Sequence, residues 1–472
     1  MKTSEIFYTV GIFFFGGLIA FGLVQGISMS RTIVAGTVDV APRVQREVVK
    51  EAAPTPVEDT QLLARVDSPA LHATQKETDP RSLPGKNVVA DLKEMTLSLY
   101  EDGVSVAELP ILAKGRSGTP WETIPGLYSV KTKEQNHFSS IGHVWMPYSM
   151  QFFGNYFIHG WPYYEGGAPV AQGFSGGCIR LSTADAKKVY EFATLGTAVH
   201  VLGDQEIAPI MNASYKIKNK NAFPKISAQS YLIGDLDTGE IIFSKNASDV
   251  YPTASLAKLM TATVSLEAVN QYQRATVSKN ALTTYGEQGG LKAGETFEVK
   301  DLIYPLLLES SNDAAEVLAE QIGRSQFLSL MNEKADAIGL LSTHFDDPAG
   351  LSQETVSTSK DLFKLVRYIN NYKSYILAVT RLPQYETGKH SWHNISRFVS
   401  DKNYIGGKDG YTDEAKHTKI SLFKMKLSEF SDRNIAFVFL DDDTRTKEQD
   451  VRTMVDFVGK NVYYAPEMLS KK

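Results

Sequence analysis

The chain has 472 residues, of which 43% are hydrophobic and 22% charged, and carries a formal net charge of −5. This is ordinary globular material with length enough for two or three domains, and the lack of a basic excess argues against nucleic acid as a partner. Cys178 is the one cysteine, so an internal disulfide is excluded.

Residues 6–30 run without a charge, from Ile6-Phe7-Tyr8 through Leu18 to Val24, between Lys2/Glu5 and Arg31. The stretch is long enough to span a bilayer and exceeds the roughly 7 to 15 apolar residues of a cleaved signal peptide. Residues 1–30 are therefore predicted to be an uncleaved transmembrane helix that anchors the chain in the cytoplasmic membrane. Residues 31–86 contain no Phe, Tyr or Trp and are rich in Pro, Glu, Lys, Val and Ala. Such a segment cannot bury enough apolar surface to fold and is predicted as a disordered linker, with a coil dimension of roughly 40 Å.

Residues 87–204 read as a mostly-β domain. Asn87 to Gly103 alternates apolar and polar residues and turns at Asp102-Gly103, as a strand and hairpin do. Thr119-Pro120 and Pro125-Gly126 mark further turns, and Thr183 to Ala193 is the one helical stretch, starting at Ser182 or Thr183. Within this domain His159-Gly160 is followed, after fourteen residues, by Ser175-Gly176-Gly177-Cys178-Ile179-Arg180. An unpaired cysteine in an exported chain is a liability unless its reactivity is used. A free thiol with a pKa near 8.5 is only about 3% ionised at pH 7, and an imidazole that takes its proton raises the reactive fraction. Cys178 is the candidate nucleophile and His159 its base. Ser175, Gly176 and Gly177 are predicted to shape the substrate loop, whose glycines allow close backbone approach and whose amides can hold an oxyanion. Arg180 is placed to grip a carboxylate. His137, His143 and His200 lack a second motif element and receive no role.

With Met146-Pro147-Tyr148 and the Thr119-Pro120 turn, these blocks resemble an L,D-transpeptidase catalytic domain over roughly 120 residues. The resemblance implies cysteine acyl transfer on peptidoglycan stem peptides, on the outer side of a bacterial membrane. One position departs from it: the family often has His or Arg where Gly176 stands.

After a linker at 205–221, residues 222–472 are predicted to form a second, α/β domain. Ser227 to Lys245 reads as two strands joined at Asp237-Thr238-Gly239, and Leu259 to Val269 as a helix. Ser255 and Lys258 are then one helical turn apart on one face, where a partly desolvated lysine can act as base for the serine hydroxyl. Ser-x-x-Lys alone is a common pattern. Here it precedes Ser310-Ser311-Asn312 at a helix start and Lys408-Asp409-Gly410 near a late strand, the motif order of penicillin-binding proteins and serine β-lactamases. With Leu306 to Ala315, Met331-Asn332 and Asp347-Pro348-Ala349-Gly350-Leu351, the stretch from Ala222 to Val462 resembles the D-alanyl-D-alanine carboxypeptidase family, the low-molecular-weight penicillin-binding proteins. The resemblance implies a penicillin-binding-protein-like (β-lactamase-like) fold and inhibition by β-lactams. It makes Ser255 the acylated nucleophile and Lys258 its base. Ser310 and Asn312 relay protons and orient the substrate amide, and Lys408 and Gly410 lie beside the substrate.

Two positions depart from this second pattern: Asp409 replaces a threonine that binds the terminal carboxylate of the substrate, and Lys416 replaces a common glycine. Two like charges 4 Å apart repel by about 4 kcal/mol at an effective dielectric near 20. Three outcomes are open: Asp409 is neutralised by Lys408 or Lys416; the substrate presents an internal amide; or the domain only binds peptide. His390 and His393 have no carboxylate or third histidine in register for a metal, and no cofactor is called for. The sequence thus predicts a membrane-anchored bifunctional peptidoglycan enzyme, combining L,D-transpeptidase and D,D-carboxypeptidase or endopeptidase chemistry. The alternative is a peptidoglycan-binding L,D-transpeptidase with a degenerate penicillin-binding module. A β-lactamase would need a deacylating glutamate motif, which the sequence does not offer.

Overall fold

The computed structural model describes residues 79–203, 215–219, 222–286, 289–428, 432–443 and 448–465. The anchor expected at 1–30, and the linker expected at 31–86 up to residue 78, lie outside them; the end of that linker needs correcting, since Pro80–Ser82 form a 3₁₀ turn capped by Asp79 and Lys86 opens the first strand. Among the described residues no helix is long and apolar enough to cross a membrane.

The first domain is built from two sheets. Strands β1 (Lys86–Asp91), β2 (Thr96–Glu101), β3 (Val104–Pro110), β4 (Gly126–Ser129), β5 (Thr132–Ser139), β6 (Val144–Phe153), β7 (Tyr156–His159), β8 (Ile179–Arg180) and β9 (Ala198–Leu202) form a five-stranded sheet ordered β3-β2-β1-β9-β4 and a four-stranded sheet ordered β5-β6-β7-β8. The expected hairpin is present, with the β2–β3 turn at Asp102-Gly103, both at positive φ. The expected helix is Thr183–Phe192, and the Ser182 hydroxyl caps it by accepting from Asp185 N (3.0 Å), satisfying one of the free amides of the first turn. The β7–β8 pair decides the site. It is parallel, with Ile158 opposite Ile179 and His159 opposite Arg180, so two blocks distant in sequence arrive side by side.

The second domain has an antiparallel five-stranded sheet, in the order Ile241–Lys245, Ser230–Asp235, Arg433–Asp442, Lys416–Met425 and Tyr404–Thr412. Side chains alternate faces along a strand. In Arg433–Asp442, Ala436, Val438 and Leu440 join the helical core on one face, while Ile435, Phe437 and Phe439 pack on the other with Phe457 and Val458 of the helix Gln449–Asn461. Both faces being covered, the strand reads as a continuous apolar run. The first helix of the domain, Lys258–Ala268, is buried along its whole length. The expected linker at 205–221 needs correcting at one point: Tyr215–Ile217 is a strand paired with Val462–Tyr464, and so belongs to the second domain.

The described parts of the two domains lie in one compact unit with a continuous apolar core, to which Tyr128, Phe153 and Tyr156 contribute from the first and Leu259, Leu330 and Tyr368 from the second. Inside it sits a fully buried ionic cluster. Glu267 is 2.9 Å from Lys334 and 3.9 Å from Lys373, and accepts from the Tyr368 hydroxyl at 2.7 Å. Lys334 donates to the Tyr128 hydroxyl (2.9 Å), and Lys373 to the Tyr156 hydroxyl (3.2 Å) and the Glu122 carbonyl (3.3 Å). Buried charges are tolerated only when paired and hydrogen-bonded, so this cluster favours one docking geometry. Burial pulls Lys334 down to about 8 against the opposing pull of Glu267.

Candidate active sites

The serine site is assembled where the start of the helix Lys258–Ala268 meets the sheet edge Tyr404–Thr412. Lys258 Nζ lies 2.9 Å from Ser255 Oγ, 2.7 Å from Asn312 Oδ1 and 2.7 Å from the Ala349 carbonyl. Burial, reinforced by the charge of Lys408, pulls its ammonium well below the usual 10.5. A neutral lysine amine at that distance can take the Ser255 proton as the oxygen attacks a carbonyl. Lys408 Nζ in turn donates to Ser310 Oγ (2.8 Å) and to the Asp409 carbonyl (2.7 Å), which puts Ser310 in a chain able to protonate a leaving amine.

The backbone around this site is specialised. Ala254 (φ +48°) and Ser310 (φ +62°) are non-glycine residues in the left-handed region, a strain of order 1–3 kcal/mol each that the surrounding packing must hold. A Cβ on Gly410 would stand 2.8 Å from Ser255 N, and one on Gly350 would collide with the Ala254 carbonyl at 1.9 Å. Glycine at 410 therefore keeps the Ser255 amide open as an oxyanion donor. The Ala349 carbonyl is aimed by Asp347, whose carboxylate accepts from the amides of Ala349, Gly350, Leu351 and Ser352. Sequence reading noted the Asp347 to Leu351 block without giving it a task. An aspartate followed by small residues and glycine is a side-chain-to-backbone turn signal, and here the Ala349 carbonyl of that turn accepts from Lys258.

Asp409 is ion-paired, with a partner the sequence reading did not name. Its carboxylate is 3.0 Å from Lys419 Nζ, directly across the hairpin, where Asp409 faces Lys419 in register. Lys408 is turned to Ser310, and Lys416 stands at the hairpin corner with φ +55°, a conformation that suits glycine. Ser255, Ser310, Asn312, Asp409 and Gly410 line one cleft of about 410 Å³ with Lys419 and Tyr285.

In the cysteine site, His159 Nδ1–H donates to the Gly160 carbonyl (2.6 Å), which leaves Nε2 as the free acceptor. Burial drives the imidazole down to about 4, against the opposing effect of that hydrogen bond. Burial likewise pushes the Cys178 thiol up. Both groups thus rest neutral, and the thiol donates to the Asn155 carbonyl at 3.6 Å. Arg180 is half-buried, lies 5.7 Å from the Trp161 ring, and has an Nε without a hydrogen-bond partner, so its guanidinium is available to a carboxylate in the cleft. The Ser175 hydroxyl is committed to the loop itself, donating to Cys178 O (2.6 Å) and accepting from Gly177 N (3.1 Å), so it shapes the loop as expected. Gly177 (φ +111°) leaves no space for a Cβ, which would lie 2.5 Å from the Tyr156 ring, whereas nothing stands within 4 Å of a Cβ at Gly176. His159, Cys178, Arg180, Ser175 and Gly176 line one cleft of about 380 Å³.

A family model of D-alanyl-D-alanine carboxypeptidases matches residues 217–442, and one of L,D-transpeptidase catalytic domains matches residues 85–201. A D-alanyl-D-alanine endopeptidase of Haemophilus influenzae is 33% identical over 208 residues, covering 42% of this chain and 70% of that protein. The chain belongs to the D-alanyl-D-alanine carboxypeptidase family and carries an L,D-transpeptidase catalytic domain in front. Other relatives of this two-domain family member are a D-alanyl-D-alanine carboxypeptidase of Bacillus subtilis, 30% identical over 49% of this chain and 61% of that protein, and a D-alanyl-D-alanine endopeptidase of Pseudomonas aeruginosa, 31% identical over 41% of this chain and 66% of that protein. The chain spans under two thirds of the length of these last two.

Proposed function

We propose that the protein is a bifunctional peptidoglycan enzyme. In this reading Cys178 takes the acyl group of a tetrapeptide stem and passes it to a second stem, with His159 moving the proton and Arg180 holding the donor carboxylate. Ser255 performs D,D-carboxypeptidase or endopeptidase chemistry on D-Ala-D-Ala stems, and residues 1–30 hold both domains at the outer face of the membrane. The observation that carries the reading is the buried Lys258, hydrogen-bonded to Ser255 and Asn312 and with its ammonium pulled well below the usual range, which supports a base for the serine over a module that only binds.

The Asp409–Lys419 pair supports an internal amide as substrate at least as well as a terminal D-alanine. The carboxylate is matched by an ammonium, and position 409 itself offers no hydroxyl to a terminal carboxylate. Two of the relatives are named endopeptidases. The two activities are chemically sequential, because removal of a terminal D-alanine yields the tetrapeptide that an L,D-transpeptidase uses, and tethering raises the local concentration of that donor.

The test is the product mixture of the purified full chain on defined pentapeptide, tetrapeptide and cross-linked stems. Ser255→Ala should abolish tetrapeptide formation and cross-link cleavage, and Cys178→Ala should abolish new cross-links made from tetrapeptides. Absence of any Ser255-dependent product, together with no Ser255 labelling by a fluorescent penicillin, would leave an L,D-transpeptidase with a peptide-binding module.

A further inference from the structure

The cleft over Cys178 is not closed by its own domain. Its lining includes Ile141 and Gly142 at the tip of the β5–β6 hairpin together with Leu266, Glu267 and Tyr272 from the second domain. Tyr272 is 60% exposed, yet its ring is held. It stacks on Trp121 of the first domain, with centroids 5.9 Å apart and planes at 24°, and Lys300 lies 5.4 Å from it. The end of the helix Lys258–Ala268 is also fixed to the nucleophile's surroundings: the Glu267 carbonyl accepts from Asn155 N (3.2 Å), and the Asn155 carbonyl accepts from the Cys178 thiol.

We propose that Tyr272, with Leu266, is a stem-peptide subsite of the cysteine reaction, so that the second domain supplies the apolar wall against which the substrate of the first is placed. The proposal rests on the reading of Cys178 as the acyl-transfer nucleophile. An exposed aromatic ring pre-oriented at the mouth of a cleft gains from covering its exposed surface at little entropic cost. Arg180, lining the same cleft, supplies the charge that fixes a carboxylate while the wall takes an aliphatic side chain of the stem.

Direct binding of a disaccharide-tetrapeptide to the full-length Cys178→Ala protein, measured by calorimetry, tests this without turnover. Adding Tyr272→Ala should weaken binding about three- to tenfold, the range of a single aromatic contact, and Tyr272→Phe should restore it. Penicillin labelling of Ser255 should stay at its parent value, and the melting temperature should fall by no more than a few degrees, the worth of the lost stacking on Trp121. Equal affinities in the Tyr272→Ala and parent proteins, or no binding of the tetrapeptide to the parent, would overturn the proposal. Turnover is scored separately in the protein with Cys178 intact. Tyr272-dependent binding without any Cys178-dependent product would keep the subsite and remove the acyl-transfer reading, whereas turnover with an unchanged KM in Tyr272→Ala would do the reverse.

Discussion

The two candidate nucleophiles of this chain stand beside different candidate bases. At the serine site burial acts on the base: desolvation pulls the Lys258 ammonium well below its usual range, and its nitrogen already lies 2.9 Å from Ser255. At the cysteine site a hydrogen bond sets the tautomer of His159, while burial keeps both His159 and Cys178 neutral. A serine hydroxyl ionises far above neutral pH and needs a strong base next to it, whereas a thiol needs only a weak one once substrate is in place. The comparison implies a prearranged serine site, and a cysteine site whose proton moves in step with attack.

The sharpest way to break this picture is to remove the lysine. Lys258→Met should slow penicillin acylation of Ser255 by roughly 10²- to 10⁴-fold, the usual worth of a general base, while alkylation of Cys178 stays at its parent rate. Equal loss at both sites would mean that the substitution disturbs the shared core.

A second test separates a neutral thiol–imidazole pair from a preformed thiolate. Because His159 stays unprotonated down to about pH 4, the cysteine-dependent rate should be level from about pH 5 to 7. Iodoacetamide alkylation, which needs thiolate, should be slow at neutral pH and climb through alkaline pH, since the Cys178 pKa is raised. Fast, pH-independent alkylation would establish an ion pair instead. The same shift has a stability consequence. The unfolded chain protonates His159 near pH 6.5 and the folded one only near 4. Between those values the unfolded state binds more protons, so stability rises with pH across that window, and His159→Gln should flatten the rise in urea melts taken at several pH values.

The smallest expected effect lies at Asp409. Asp409→Thr removes the carboxylate and supplies a hydroxyl, and should raise cleavage of terminal D-Ala-D-Ala relative to an internal amide about tenfold, the value of one charge-assisted hydrogen bond. An unchanged ratio of the two rates would show that Asp409 does not select the substrate.

Much of each site was legible because its residues come in short blocks. Ser255 with Lys258, Ser310 with Asn312, and Ser175 to Arg180 are local patterns whose chemistry follows from residue type and spacing. The partner of Asp409 was within reach as well. A hairpin turning at Asp413-Glu414-Ala415 pairs Thr412 with Lys416 and therefore Asp409 with Lys419, but Lys408 and Lys416 were the nearer lysines to consider. The oxygen of Ala349 that accepts from Lys258 carries no side-chain signal, and Asn155 beside Cys178 lies outside every motif. Tyr272 follows the nucleophile helix of one domain and lines the cleft of the other, a relation that no periodicity encodes.

The sequence alone determined the two family domains, their order along the chain and the candidate nucleophile of each, because a thiol or hydroxyl and its activating residues are specified by type and by short spacings. The tertiary structure alone decided what stands around them. The parallel pairing of β7 with β8 brought His159 beside Arg180, the cross-strand register gave Asp409 its lysine, and the hydrogen bonds of the buried Lys334 and Lys373 to Tyr128 and Tyr156 tied one domain to the other. Those outcomes depend on long-range packing, in which desolvation makes every unpaired charge costly and so selects the one arrangement that pairs them.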